Sequence, residues 1–253
     1  SLLRAETFGL LLNGDPVQMF NLENSEIEYA RAFVSMMTGI NNQLLKRPEN
    51  LTPEQYEDVI GASRRLIDMP LDLVSLGGPS IFEIDRIARA KLSKLEPKLI
   101  TIDYAQLIMN PGSDNQNANV TTSSQKMRAM GRNYGVPIMA AAQLNRKIDE
   151  RGKNSEPLLS DLRDSGSLEQ DATQVWFIRP VWAEPTEAQL ETFNENKGSN
   201  GLLLSKPPVR PMRVYIRKNR NGPSGVCDPI AWDMSNGRWR SLDLNTINLS
   251  EIQ

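Results

Sequence analysis

Short apolar runs rich in β-branched residues, separated by helical patterns, restrict this chain more than any other feature of it. DPVQMFNLE (15–23), PKLITIDYAQL (97–107), VPIMAAAQL (136–144), QVWFIRP (174–180) and MRVYIRKNR (212–220) read as strands, with PLDLVSL (70–76) a weaker sixth. They are nearly continuous rather than alternating, the pattern of strands covered on both faces in a parallel sheet. The intervening segments carry helix start signals. Thr52, Pro53 and Gln55 supply an N-cap, a first-turn proline and a capping-box partner. Ser80 and Glu83 predict a second box, followed by an apolar face of Ile81, Ile84, Ile87, Ala88, Leu92 and Leu95. This alternation predicts an α/β fold: an open, mainly parallel sheet with helices on both faces, binding ligands at the carboxyl ends of its strands.

Two stretches interrupt the alternation. Residues 110–124 are polar and rich in Asn, and predict a mobile loop opening into a helix over Gln125–Tyr134. Residues 180–211 read as an insertion containing a short helix in PTEAQLETF. The chain therefore divides into one domain over 1–242 and a tail over 243–253. Its 253 residues suit a single large α/β domain.

Composition narrows the chemistry. The chain has no histidine, which excludes imidazole acid–base catalysis and a Ser-His-Asp triad, and leaves carboxylates, amides, Lys, Arg and an external metal ion. A single cysteine, Cys227, excludes an internal disulfide and a cysteine-clustered zinc site and points to a reducing compartment such as the cytoplasm. No run of about 18 apolar residues occurs, so no membrane span is expected, and the first residues lack the marks of a signal peptide. A net charge of -2 with a pI near 5.5 speaks against a protein that coats DNA nonspecifically, and leaves room for a local DNA-binding loop.

Polar residues close three of the strands. Asp103 follows four apolar strand residues and suits the water shell of Mg²⁺; a strand-end aspartate capping a loop fits the same pattern. Glu23 closes a similar run and could polarise a water attacking a phosphoryl group, or simply open the next helix. Gln143 closes the third, as a γ-phosphate sensor or a satisfied amide. Further on, SDLRDSGSLEQDA (160–172) offers Arg163 to a phosphate and Gly166 to a close backbone approach. Lys218 and Arg220, two apart on a strand, share one face and could clamp phosphates, including those of a neighbouring subunit.

Taken together these strings resemble the DnaB family of replicative helicases. QLNR with SDLRDSGSLEQDA resembles that family's QLNR and SDLRxSGxxEQDAD; FNLEN, ITIDYAQL and RKNRNGPSG resemble FSLEM, IDYLQL and KxRNGPxG, and NGRWRSLD resembles its terminal strand. Order and spacing agree over most of the chain, while 24–95 and 180–211 agree in layout. The resemblance implies a RecA-like ATPase domain, with ATP and Mg²⁺ as ligands. It implies Glu23 as the residue activating water, Asp103 as the Walker-B aspartate, and Gln143 as the link from nucleotide to the DNA loops. Arg163, Asp164 and Gly166 would lie on a central-channel loop along single-stranded DNA; the family has Glu where Asp164 stands. Residues 110–124 would form a second, mobile channel loop. Lys218 and Arg220 would reach a neighbour's γ-phosphate across a homo-hexamer interface.

No GxxxxGK[ST] occurs in the chain. Ser1 then reads as the Mg²⁺-binding hydroxyl that ends this motif, with the glycines and lysine expected upstream, beside the family's N-terminal domain and linker helix. The resemblance thus implies a helicase motor that moves on single-stranded DNA and meets a primase and a loader in a bacterial or phage-infected cytoplasm. The divergent 24–95 and the insertion suggest a phage version. The rival reading is a non-catalytic module that joins or regulates a helicase ring; a recombinase shares the strand-end carboxylates without SGSLEQDA.

Overall fold

In a computed structural model the described residues are 1–112, 115–145, 147–151, 155–180, 209–227 and 230–241, without the side chains of 147, 149 and 163–165. Nearly all of the expected insertion and the whole 243–253 tail lie outside the described residues.

The first four strands are β1 (Val17–Asn21), β2 (Leu71–Ser75), β3 (Leu99–Asp103) and β4 (Ile138–Ala140). They pair in parallel in the order β2-β1-β3-β4. β1 and β3 are buried at every position, which is why their sequences do not alternate. On one face, Met19 packs with Leu3 of α1 (Leu2–Leu12) and with Tyr29, Phe33 and Met36 of α2 (Glu26–Thr38). On the other, Phe20, Ile100 and Ile102 meet Ile81, Ile84 and Ala88 of α4 (Ile81–Leu95) and Met127 and Met130 of α5 (Gln116–Tyr134). The predicted layers of helix on both faces of a parallel sheet are therefore present. Between them in the chain, α3 (Pro53–Asp68) packs against α2 and carries the capping box expected from Thr52 and Gln55. At α4, Ser80 accepts from the Glu83 amide at 3.2 Å, while the reciprocal bond expected from the Glu83 side chain is not formed.

Two expectations need correcting. The strands at 174–180 and 212–220 do not extend the parallel sheet. β5 (Gln174–Pro180) and β6 (Val209–Asn219) pair antiparallel, and with β7 (Gly225–Val226), β8 (Ile230–Asp233) and β9 (Trp239–Ser241) they make a second sheet. The burial of β5 alternates, as for a strand covered on one face. Val175, Phe177 and Tyr215 use that face to pack on Leu162. The second correction concerns 110–124, where α5 begins at Gln116 rather than near Gln125. Its polar residues turn inward to meet the buried Asn110. That side chain accepts from the Ile81 amide at 3.0 Å and donates to the Asn119 carbonyl at 2.9 Å and to Ser123 Oγ at 3.0 Å. A polar helix face is tolerated inside because its groups are paired.

Two further ties join the layers. Asp85 of α4 accepts from the Tyr134 hydroxyl and lies 2.9 Å from Lys126 and 3.1 Å from Arg89, linking α4 to α5. Arg238, in the turn between β8 and β9, donates to the carbonyls of Met36 at 2.6 Å and Met37 at 2.9 Å. It thereby caps the C-terminus of α2, where cations are favoured. Gly39 ends α2 with φ of 80°, and a Cβ there would lie 3.3 Å from the Arg238 guanidinium. Glycine meets both demands at this junction.

Replacing Asn110 with Ala leaves the Ile81 amide buried without its acceptor. We expect Asn110→Ala to lower unfolding stability by about 2 kcal/mol in urea titration. The exposed Asn50→Ala should stay within about 0.5 kcal/mol of the parent.

Candidate functional site

The strand order creates a crevice. From β1 the chain leaves through α2 and α3 to β2 on one side, and from β3 it leaves through α5 to β4 on the other. Adjacent strands whose connections depart in opposite directions leave an opening at their carboxyl ends, where ligands of open α/β sheets bind. Asn21 pairs with Asp103 in the β1–β3 register, so this opening is bordered by Asp103 and by the turn that follows Asn21.

Glu23 lies in that turn and is exposed. Asn21, fully buried, shapes it: its Oδ1 accepts from the Asn24 amide at 3.0 Å and the Glu23 amide at 3.3 Å, while its Nδ2 donates to Ser75 Oγ at 3.1 Å and to the Asn24 carbonyl. The Leu22 amide then donates to the Asp103 carbonyl at 2.8 Å. Ser25 follows at once as the N-cap of α2, in a complete capping box with Glu28. Hydrogen bonds to Ser25 hold the Glu28 carboxyl below its ordinary value.

Asp103 is 9% exposed and its Oδ2 accepts from the hydroxyl of Tyr29, which is 1% exposed. Burial first, and then this bond, push the Tyr29 hydroxyl far above its ordinary value. The Arg4 guanidinium lies 5.0 Å from the centre of the Tyr29 ring. Helix α1 runs back along β1, so its N-terminus lies at the carboxyl edge of the sheet. Ser1 is its N-cap, with Oγ 3.4 Å from the Arg4 amide. Ser1, Glu23 and Asp103 thus gather at one edge.

Gln143 joins the same edge. The segment after β4 continues beside the segment after β3, with the Ala105 amide donating to the Ala141 carbonyl at 2.9 Å. The Gln106 side chain then brackets the Gln143 backbone, donating to its carbonyl and accepting from its amide, both at 3.2 Å.

The other expected residues lie elsewhere. Lys218 Nζ donates to the carbonyls of Glu169 and Gln170 (3.2 Å to the latter), and Arg220 Nη2 to that of Gln170 at 2.6 Å. Both therefore rest on the C-terminal end of α7 (Gly166–Asp171), although only Lys218 lies in β6 and Arg220 follows in the turn, so they do not share a strand face as expected. Burial, and then the charge of Arg220, lowers the Lys218 pKa. Among the described residues no hydrogen bond or ion pair joins either cation to Glu23 or Asp103. Gly166 opens α7 in ordinary right-handed conformation, φ -55°, and a Cβ there would meet nothing within 4 Å. The backbone of Arg163 and Asp164 lies in the 3-10 turn Leu159–Ser165, and their side chains are outside the described residues. Helix α7 is fastened to α5: Ser124 Oγ donates to Asp171 Oδ2 at 2.7 Å, and the Ser167 carbonyl lies 3.0 Å away as an alternative acceptor for the same proton.

The family model for the DnaB-like helicase C terminal domain matches residues 5–240. The chain belongs to this family. Over 217 residues the DnaB-like chain is 35% identical to the replicative DNA helicase DnaB of Mycoplasma pneumoniae, covering 84% of this chain and 42% of that protein. It is 30% identical over 214 residues to replicative DNA helicase DnaB of Geobacillus stearothermophilus, covering 83% of this chain and again 42% of the relative. The DnaB-like chain thus spans well under half the length of these relatives. In structure it resembles a DnaB-like replicative helicase described with its interactions with primase, with a TM-score of 0.76 and 23% identity over 95% of this chain and 54% of that one. The likeness in fold places the DnaB-like chain among RecA-like domains.

Asn21, Gln106, Tyr29 and Arg4 escaped the sequence reading. Asn21 left a signal, a polar residue inside an apolar strand; Tyr29 and Asp103 are joined only by the fold. Asn21→Ala should cost about 2 kcal/mol by leaving two turn amides without their acceptor. Hydrogen exchange at Glu23 and Asn24 should accelerate more than exchange in β3. Unchanged protection at those two amides would show that Asn21 does not hold the turn.

Proposed function

We propose that this domain is the ATP-hydrolysing motor of a homo-hexameric replicative helicase that moves on single-stranded DNA and separates duplex. One observation carries the reading: in a chain of the DnaB-like family, Glu23 and Asp103 border the switch-point crevice, at the edge holding the N-terminus of α1. A helix N-terminus favours phosphate, and phosphoryl transfer asks the protein mainly for positioning and electrostatic stabilisation.

The donors suit Mg²⁺, which takes hard oxygens, keeps several waters and commonly uses one or two carboxylates beside substrate phosphates. Asp103 and the Ser1 hydroxyl would hold it, and when bound it would neutralise charge developing on the phosphates. Glu23, exposed on its fixed turn, orients the attacking water and accepts its proton. Gln143, with its backbone bracketed by Gln106, reports the state of the γ-phosphate toward the segment leading to α7. Lys218 and Arg220 serve the site of the neighbouring subunit, which accounts for their lack of contact with Glu23 and Asp103. Because they rest on the carbonyls of α7, their engagement across the interface would act on the segment where Arg163, Asp164 and Gly166 meet the DNA backbone. Six copies of that segment bind a strand without a strongly basic domain. A primase and a loader are the expected partners, in a bacterial or phage-infected cytoplasm; among the described residues no helix is long and apolar enough to cross a membrane.

In the full-length protein, Glu23→Gln should reduce DNA-stimulated ATP hydrolysis by about 10²- to 10⁴-fold, and Arg220→Ala by roughly 10³-fold. Mixing the two variants should restore part of the activity, because some interfaces then combine an intact Glu23 with an intact Arg220 from the other chain. Absence of restoration would place Arg220 outside the neighbour's site. A full-length protein that enters a helicase ring but never turns over ATP would be a regulatory subunit instead.

A further inference from the structure

We propose that Tyr29 is a positioning residue for Asp103, fixing which carboxylate oxygen faces the nucleotide-bound metal ion. The inference rests on the reading of the crevice as a nucleotide site. A carboxylate at a strand end can rotate and present either oxygen. Here Oδ2 accepts from the Tyr29 hydroxyl, while Oδ1 has no hydrogen-bond partner among the described residues. The ring that carries the hydroxyl is nearly inaccessible, and Met19, Phe33 and Met36 belong to the same buried cluster, so it cannot follow a rotating carboxylate. The Arg4 guanidinium lies over its face.

The placement links three elements. Tyr29 lies in the first turns of α2, whose start is set by the Ser25 box just after Glu23, and Arg4 lies in the first turn of α1 just after Ser1. Tyr29 therefore ties Asp103 to the helix that follows the Glu23 turn and to the helix capped by Ser1. Residues that hydrogen-bond a metal-binding carboxylate orient it, and losing one weakens metal binding by about 10- to 100-fold.

The molecule contains its own control. Tyr134 donates to Asp85 in the same way, but between α4 and α5, among helices on the other face of the sheet. The experiment uses the full-length protein with Mn²⁺ and ADP as the probe, reading bound Mn²⁺ by electron paramagnetic resonance. Mg²⁺ titrations of ATP hydrolysis accompany it. Tyr29→Phe, which keeps the ring, should weaken Mn²⁺ binding roughly tenfold and raise the Mg²⁺ concentration for half-maximal turnover similarly. Metal-free ADP binding should be unchanged. Tyr134→Phe should lower thermal stability without moving either metal measurement. Equal Mn²⁺ affinity in the parent and Tyr29→Phe overturns the proposal, and so does an equal loss in both variants, which would mark a packing effect. A parent that binds no Mn²⁺ with ADP overturns the nucleotide-site reading itself, a result visible before any variant is compared. Should Tyr29→Phe fail to fold, a fluorotyrosine at position 29 supplies the test. Its ¹⁹F resonance should respond to Mg²⁺ with ADP and not to ADP alone, and a resonance indifferent to the metal overturns the proposal.

Discussion

Parallel pairing of β1 between β2 and β3 is the constraint on which the rest of the molecule depends. It sets Asn21 against Asp103 and sends the two following connections to opposite faces of the sheet. A parallel strand in the middle of a sheet must be covered on both faces. The same arrangement that buries Met19 under α1 and α2, and Phe20 under α4, therefore opens the crevice at the carboxyl ends. Packing and site have a single geometric origin. The antiparallel sheet is built differently, with alternating burial in β5 and an apolar face that packs on Leu162.

Paired polar groups, rather than apolar contacts, make most of the local decisions around this frame. Asn21 shapes the turn that carries Glu23, Gln106 brackets Gln143, and Asn110 draws the polar start of α5 inside. Each is a side-chain amide with donors and acceptors to spare, suited to satisfying two backbone groups at once. Burying such a group is tolerable only when its bonds are made. These amides therefore specify conformation more sharply than a leucine of similar size could.

Much of this was legible from residue patterns. Continuous apolar runs predict β1 and β3, and Thr52-Pro53 with Gln55 predicts the start of α3, because both signals are local. Of the three residues read as closing strands, Asp103 does so, while Glu23 and Gln143 lie two and three residues beyond the ends of β1 and β4; parallel pairing still brings all three to the carboxyl edge. The runs at 174–180 and 212–220 gave strands but not their partners, since pairing direction depends on which faces are covered. The Asn-rich stretch before Gln125 read as a loop because its stabilising partner, Asn110, is itself polar and sits outside the helix. Tyr29 was illegible as a partner of Asp103: 74 residues separate them, and a tyrosine on a helix face ordinarily signals core.

Helix α2 begins just beyond the Glu23 turn, locked there by Ser25 and Glu28, and ends under the guanidinium of Arg238 from the antiparallel sheet. Its 13 residues make a rod of about 20 Å, clamped at both ends by hydrogen bonds. Such a rod transmits displacement along its axis far better than it absorbs it by bending. A shift of the β8–β9 hairpin would thus be delivered to the Glu23 turn as a push or pull on a strut. The hairpin that completes the second sheet is thereby joined, through α2, to the turn carrying the carboxylate after β1.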